Sequence, residues 1–226
     1  MARRRFLFPL MIGVLGCTVL AALGVWQLQR LQWKESVLAE IEARIAEKPV
    51  ALPESLAEEV DKYLPVTVEG DLEDAHLRVL TSIPRVGPGF RLITPFVLPD
   101  GRRIMVDEGF VRENEDAAPD AAVGVTIVGN VHWPDDANQF TPEPDLSRGL
   151  FFGRDLPAMA AVLDTDPILV VARRFEGLEP RAMPLPVTTE GIPNNHLGYA
   201  VQWFGLALVW AGMTAFLLWR TAWRTE

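Results

Sequence analysis

Two apolar runs without a single charge bracket a longer region in which apolar and polar residues alternate. The first, Phe6–Leu28, is 23 residues long, preceded by Arg3-Arg4-Arg5 and closed by Arg30. The second, Leu197–Trp219, is also 23 residues long and is followed by Arg220 and Arg224. At about 1.5 Å of rise per residue each run predicts a helix of roughly 34 Å, enough to cross a hydrocarbon core of about 30 Å. A cleaved secretory signal would carry an apolar core of only about 7–15 residues. Val14-Leu15-Gly16-Cys17 is an acceptable lipoprotein box, yet Thr18–Leu28 stays uncharged where a lipoprotein would turn polar. The first run is therefore read as a retained transmembrane helix.

Between the runs the period changes. Gln29–Lys48 sets Leu31, Leu38, Ile41 and Ile45 on one side, which predicts a helical stalk ended by Pro49. Pro53 and the acidic stretch Glu54–Asp61 read as a linker. From Tyr63 the alternation predicts strands at 65–70, 77–81, 90–98, 102–111 and 123–133. Pro99-Asp100-Gly101 supplies a hairpin turn, because glycine tolerates positive φ. Leu156–Leu163 predicts a helix capped by Asp155 with Pro157 in its first turn, and Pro167–Arg174 a last strand. Pro180–Pro193 leads back to the second apolar run.

The fold class that follows is a membrane protein with two transmembrane α-helices, N- and C-terminal, enclosing a β-rich α+β periplasmic domain of antiparallel or barrel-like build. Its segments are 1–5 and 220–226 in the cytoplasm, 6–28 and 197–219 in the membrane, and 29–195 outside, with the β-rich core at 63–175. The orientation comes from Arg3–Arg5 and from Arg220 and Arg224, which flank the helices on what should be the cytoplasmic side. No Arg- and Ser-rich transit peptide precedes Phe6, which favours a bacterial inner membrane over the mitochondrial equivalent. Trp26 and Trp33 fall where interfacial anchors belong.

Charge narrows the function classes. Of the 30 acidic and 21 basic residues, 29 and 16 lie between positions 29 and 195, a net −13. Phosphate binding needs a basic patch, so a nucleic-acid partner is not expected. The one cysteine, Cys17, lies in an apolar run, reads as a packing residue and excludes a disulfide within the chain. One cysteine and three separated histidines (His76, His132, His196) serve copper or zinc poorly. No nucleophile–histidine–carboxylate spacing and no nucleotide loop points to an enzyme.

Small residues recur every four positions at Gly13, Cys17 and Ala21, and again at Ala207, Ala211 and Ala215. That spacing predicts that the two helices pack closely. On the second helix His196, Tyr199, Ala200, Trp203, Ala207 and Trp210 share one face. By its own chemistry a lone histidine at a helix start is more often an interfacial or capping residue than a ligand.

The two ends together resemble the Surfeit locus protein 1 family of cytochrome c oxidase assembly factors. In that family the first helix ends in Gly-x-Trp-Gln-x-x-Arg-x-x-x-Lys, matched here by Gly24, Trp26, Gln27, Arg30 and Lys34. The second opens in Asn-x-His-x-x-Tyr-Ala-x-x-Trp-Phe, matched by Asn194, His196, Tyr199, Ala200, Trp203 and Phe204. Val68-Glu-Gly70 and Val106-Asp-Glu-Gly109-Phe-Val111 are similar too, although the family usually carries Arg-Gly where this chain has Glu108-Gly109. The resemblance implies a factor that binds haem a and assists its insertion into the oxidase's catalytic subunit. Carried over, His196 is the axial ligand. A physical reading adds Tyr199 and Trp203 on its helix face, with the propionates placed near Tyr199, Trp26 or Arg30. By default, though, the aromatics are membrane-belt and packing residues and Arg30 marks the membrane boundary. Neutral imidazole is a standard haem ligand, and aromatic side chains can enclose an apolar macrocycle. The implied partners are the catalytic subunit, the enzymes that make haem a, and membrane lipid. The alternative is a cofactor-free chaperone that clamps the nascent subunit, with His196 and Trp203 making protein contacts.

Overall fold

The computed structural model describes residues 2–115 and 121–223. In chain order the elements are α1 (Ala2–Ile45), β1 (Val50–Ala51), α2 (Glu58–Asp61), β2 (Pro65–Leu72), β3 (Leu77–Ile83), β4 (Gly87–Val97) and β5 (Arg103–Arg112). Then come β6 (Ala122–Val131), a 3-10 turn at Leu146–Arg148, β7 (Leu150–Phe151), α3 (Leu156–Leu163), β8 (Leu169–Glu176) and α4 (His196–Trp223). They fall into two units: Met1–Glu40 with Thr189–Glu226, and Ile41–Thr188.

The first unit is a helix pair. Both helices are long and apolar enough to cross a membrane. The predicted membrane run and stalk are one continuous helix, which stops at Ile45, short of Pro49. Proline disfavours helical backbone in the residue before it, so the helix has to end ahead of Lys48. A Cβ built on Gly13 would lie 2.1 Å from Thr214, one on Gly16 2.2 Å from the Trp210 indole, and one on Gly24 2.7 Å from the Phe204 ring. Cys17 Sγ approaches the Ala207 carbonyl oxygen at 3.8 Å. The small face of α1 is therefore at the interface. The expected matching face of α4 is corrected: Ala211 and Ala215 are exposed, and Trp210 and Thr214 fill the hollows left by the glycines. Holes on one helix take bulk from the other, so a second row of small residues is not needed. The side chains of Arg3–Arg5, and Arg224, on which the predicted orientation draws, lie outside the described residues.

The second unit is an eight-stranded sheet in the order β1-β2-β6-β8-β5-β4-β3-β7. An additional β2–β4 pairing, Asp71↔Val97 and Leu72↔Phe96, closes β2, β6, β8, β5 and β4 into a ring. Gly70 stands at that seam, where a Cβ would meet the Val97 carbonyl oxygen at 2.1 Å. The barrel-like expectation is met, but the sheet is mixed: β1–β2, β3–β7 and β5–β8 run parallel. The reason is the return of the chain through α3, which inserts β8 antiparallel to β6 and parallel to β5. The presumed linker holds one helical turn, α2, after the short strand β1.

Inside the ring pack Val66, Val68, Phe96, Ile104, Val106, Ile127 and Val170. On the outer face Ile93, Met105, Leu169 and Val171 are covered by Leu156, Met159 and Leu163 of α3. Strands β5 and β8 are thus buried on both faces, which is why Ile104-Met105-Val106 and Leu169-Val170-Val171 read as unbroken apolar runs. The α3 cap forms as predicted, with Asp155 accepting from the Ala158 N–H at 3.0 Å. The hairpin turn forms too: Gly101 has φ +87 and the Asp100 carboxylate accepts from the Arg102 N–H at 2.9 Å.

Candidate functional site

On α1 the side facing α4 runs through Gly13, Cys17 and Gly24, and Gln27 is the next residue on it. Gln27 is only 8% exposed. A buried amide must find a partner, and this one does: its Oε1 lies 2.7 Å from Nδ1 of His196, the first residue of α4. The other ring nitrogen, Nε2, has no hydrogen-bond partner among the described residues. Two positions earlier, Asn194 Oδ1 is buried and equally without a partner there.

The remaining predicted site residues surround this pair in sequence without hydrogen-bonding to it. Tyr199 and Trp203 stand one and two turns along α4 from His196; Tyr199 is 51% exposed and Trp203 is partly buried. Trp26, beside Gln27, is 50% exposed. Arg30, one turn beyond Gln27, holds its guanidinium 4.2 Å from the Trp33 ring centroid, so its cation is already engaged on α1. Gln27 was within the motif quoted above but carried no assigned role. Its signal in the sequence is an amide on the helix-facing side of an apolar run.

The sheet unit carries its own polar cluster, which the sequence did not reveal. The β4–β5 register jumps from Leu92↔Gly109 to Ile93↔Asp107, leaving Glu108 as the extra residue of a bulge. Both acids are buried. Glu108 is gripped by the fork of Arg181, at 2.6 Å from Nη2 and 3.1 Å from Nε, and accepts a hydrogen bond from the Thr94 hydroxyl. Asp107 pairs with Arg91 at 2.5 Å and with Arg154 at 3.5 Å, and accepts from the Gly109 N–H at 3.1 Å. Burial pushes the Asp107 carboxyl above its ordinary value, against the pull of the two arginines. Each carboxylate has its own guanidinium partner. Glu108, the departure from the family pattern, anchors the segment that follows β8 through Arg181. Gly109, at φ +122, lets the Met183 carbonyl approach that segment's seat.

The other histidines belong to this unit. His132 stacks on Tyr63 at 5.6 Å, and its Nδ1 is buried without a partner among the described residues. Burial, reinforced by Arg154 and Lys62, lowers its pKa to about 4. His76 is lowered as well, by burial and then by Arg181. Among the described residues no three His, Cys, Asp or Glu side chains are grouped to hold a metal ion.

Residues 14–208 match the profile of the SURF1 family. Surfeit locus protein 1 of Xenopus tropicalis is 35% identical over 211 residues, covering 82% of this chain and 67% of that protein. The Homo sapiens protein of the same name is 32% identical over 210 residues, covering 82% and 69%. A SURF1-like protein of Monosiga brevicollis is 30% identical over 216 residues, covering 86% and 82%.

Proposed function

The chain belongs to the SURF1 family, and from that premise we propose that it is an assembly factor for cytochrome c oxidase. In this reading it binds haem a through His196 and assists its insertion into the catalytic subunit, holding and handing over a cofactor rather than catalysing a reaction. The observation that carries it is the state of His196: one ring nitrogen is held by Gln27 and the other has no partner among the described residues. That donor set fits a haem held by a single histidine, which is one of the common axial arrangements. When bound, haem a would supply a redox-active iron centre. The chain's part is to offer the imidazole at the end of an apolar helix pair, with Tyr199, Trp203 and Trp26 as aromatic neighbours. A single ligand also suits a carrier, which must release as well as capture. Arg30 has its cation on Trp33 and would have to leave that ring to meet a propionate.

The same reading puts both helices across a bacterial inner membrane, both termini in the cytoplasm and the sheet unit in the periplasm. The exposed faces of Tyr199 and Trp26 favour one rival, a chaperone without cofactor that grips the nascent subunit through these aromatics. The test is the optical spectrum of the detergent-purified chain coexpressed with the enzymes that make haem a, beside His196→Ala. The expected result is a near-stoichiometric haem a spectrum that the substitution removes. A wild-type protein free of haem a that still co-purifies with the oxidase subunit would leave the chaperone.

A further inference from the structure

Resting on the haem a reading above, we propose that Gln27 is the positioning residue of His196. Its side-chain carbonyl holds the imidazole in the Nδ1–H tautomer, so that Nε2 carries the lone pair offered to the iron.

A neutral imidazole has one nitrogen that donates and one that accepts. The Gln27 Oε1 can only accept, and at 2.7 Å it makes Nδ1 the donor. The proton is then fixed on the side of α1, and Nε2 is left with its lone pair. The amide is itself held: Gln27 is only 8% exposed, and Gly24, one turn earlier, brings the Phe204 ring close enough to keep the helices together at this level. The ring is therefore fixed at two points, its Cβ on α4 and its Nδ1 on α1. Ligating histidines are generally oriented in this way, by an acceptor on the nitrogen away from the metal, and losing that acceptor commonly costs about 10–100-fold in affinity. An asparagine at position 27 would be one methylene short of the same reach.

The test uses the full chain in detergent micelles and needs no cofactor for its first half. Imidazole ¹⁵N shifts report the tautomer of the neutral ring, and His196→Ala assigns the signal among the chain's three histidines. The expected result is an Nδ1–H ring in the wild type, retained in Gln27→Glu and lost to a mixture in Gln27→Leu. In the second half, titration with haem a should show about 10-fold weaker binding for Gln27→Leu, recovered in Gln27→Glu. The carboxylate should also shift the bound iron's reduction potential to a more negative value. An Nε2–H ring in the wild type would overturn the proposal. So would a Gln27→Leu protein with unchanged tautomer, affinity and potential while His196→Ala loses haem a, since Gln27 would then be interhelical packing alone. If His196→Ala binds haem a as the wild type does, His196 is not the ligand and the reading this proposal rests on fails, while the tautomer of the cofactor-free protein still decides whether Gln27 sets the ring.

Discussion

The two units bury polar groups in different ways. In the sheet unit the two buried acids are closed upon cations, Glu108 on Arg181 with Thr94 and Asp107 on Arg91 and Arg154. The Asn130 amide nitrogen donates to the carbonyls of Ile45 and Tyr63, while Asn130 Oδ1 and His132 Nδ1 are buried without a partner among the described residues. In the helix pair the Gln27–His196 contact leaves one ring nitrogen without a partner among the described residues. Packing differs in the same sense. Gly70 and Gly109 admit backbone carbonyls, whereas Gly13, Gly16 and Gly24 admit side chains. A closed network holds a shape; an unpartnered nitrogen beside a held one is available to a ligand. The sheet's buried acids are therefore read as structural, and the proposal above rests on the helix pair's histidine.

The largest effect should come from opening the closed network. Arg181→Met leaves Glu108 buried with the Thr94 hydroxyl as its remaining side-chain partner, and breaking such a pair from one side costs about 3–5 kcal/mol. Adding Glu108→Gln removes the stranded charge, so the double variant should regain more than half of the loss. Denaturation of the full chain in micelles measures both. A single variant as stable as the wild type would mean that Glu108 is not held by this pair. Next in size is Gly109→Ala. Its Cβ would stand 2.1 Å from the Met183 carbonyl at φ +122, a clash with backbone in a conformation L-residues avoid. A loss of about 2–3 kcal/mol is expected, with the 181–184 segment, and Arg181 with it, lifted from β5.

How far these features could be read beforehand follows their distance along the chain. The bilayer-length runs, the Asp100-Gly101 turn and the Asp155 cap are local signals, and the structure has each where the pattern put it. The insertion of β8 between β6 and β5 is a pairing chosen by packing, and no local period encodes it. Strands β1 and β7 are two residues each, too short to show alternation. His196 was singled out by its motif, but the group that holds it lies 169 residues away. Glu108 stood out as a departure from the family pattern, while its partner Arg181, 73 residues on, sat in a Pro-rich stretch read only as a return path. Four-residue spacing named the right face of α1 but on α4 only Ala207 of its three residues, because spacing shows which residues are small and not which hollows are filled from across.

A smaller effect separates the two histidine environments by pH. His132 titrates at about 4 in the folded chain against about 6.5 unfolded. Between these values the unfolded chain binds the proton first. Its contribution is therefore complete above pH 6.5, falls as the pH drops, and changes no further below about 4. The part-exposed ring reduces the full shift to roughly 2 kcal/mol. Asp107, whose carboxyl burial raises, slopes the opposite way at the low end, so the difference between wild type and His132→Phe isolates the histidine. Phenylalanine keeps the stack on Tyr63 and should flatten the acid limb. An identical limb in both would place the loss elsewhere.

The smallest effect is expected from Gly24→Ala, and its smallness is the point. The added Cβ would approach the Phe204 ring at 2.7 Å, nominally a clash like that at Gly109. The obstacle here is the far end of a side chain that can turn aside, and the residue is in ordinary helical backbone. A cost below about 1 kcal/mol is expected, read by denaturant titration of the helix pair in mixed micelles. Gln27 lies one turn further along α1, so the ¹⁵N tautomer of His196 reports whether the helices have moved apart at this level. An unchanged Nδ1–H ring in Gly24→Ala would show that the interface yields without releasing its one held nitrogen. A ring that loses its preference would mean that helix spacing, and not the amide alone, sets the histidine, and Gly24 would then join Gln27 in positioning it.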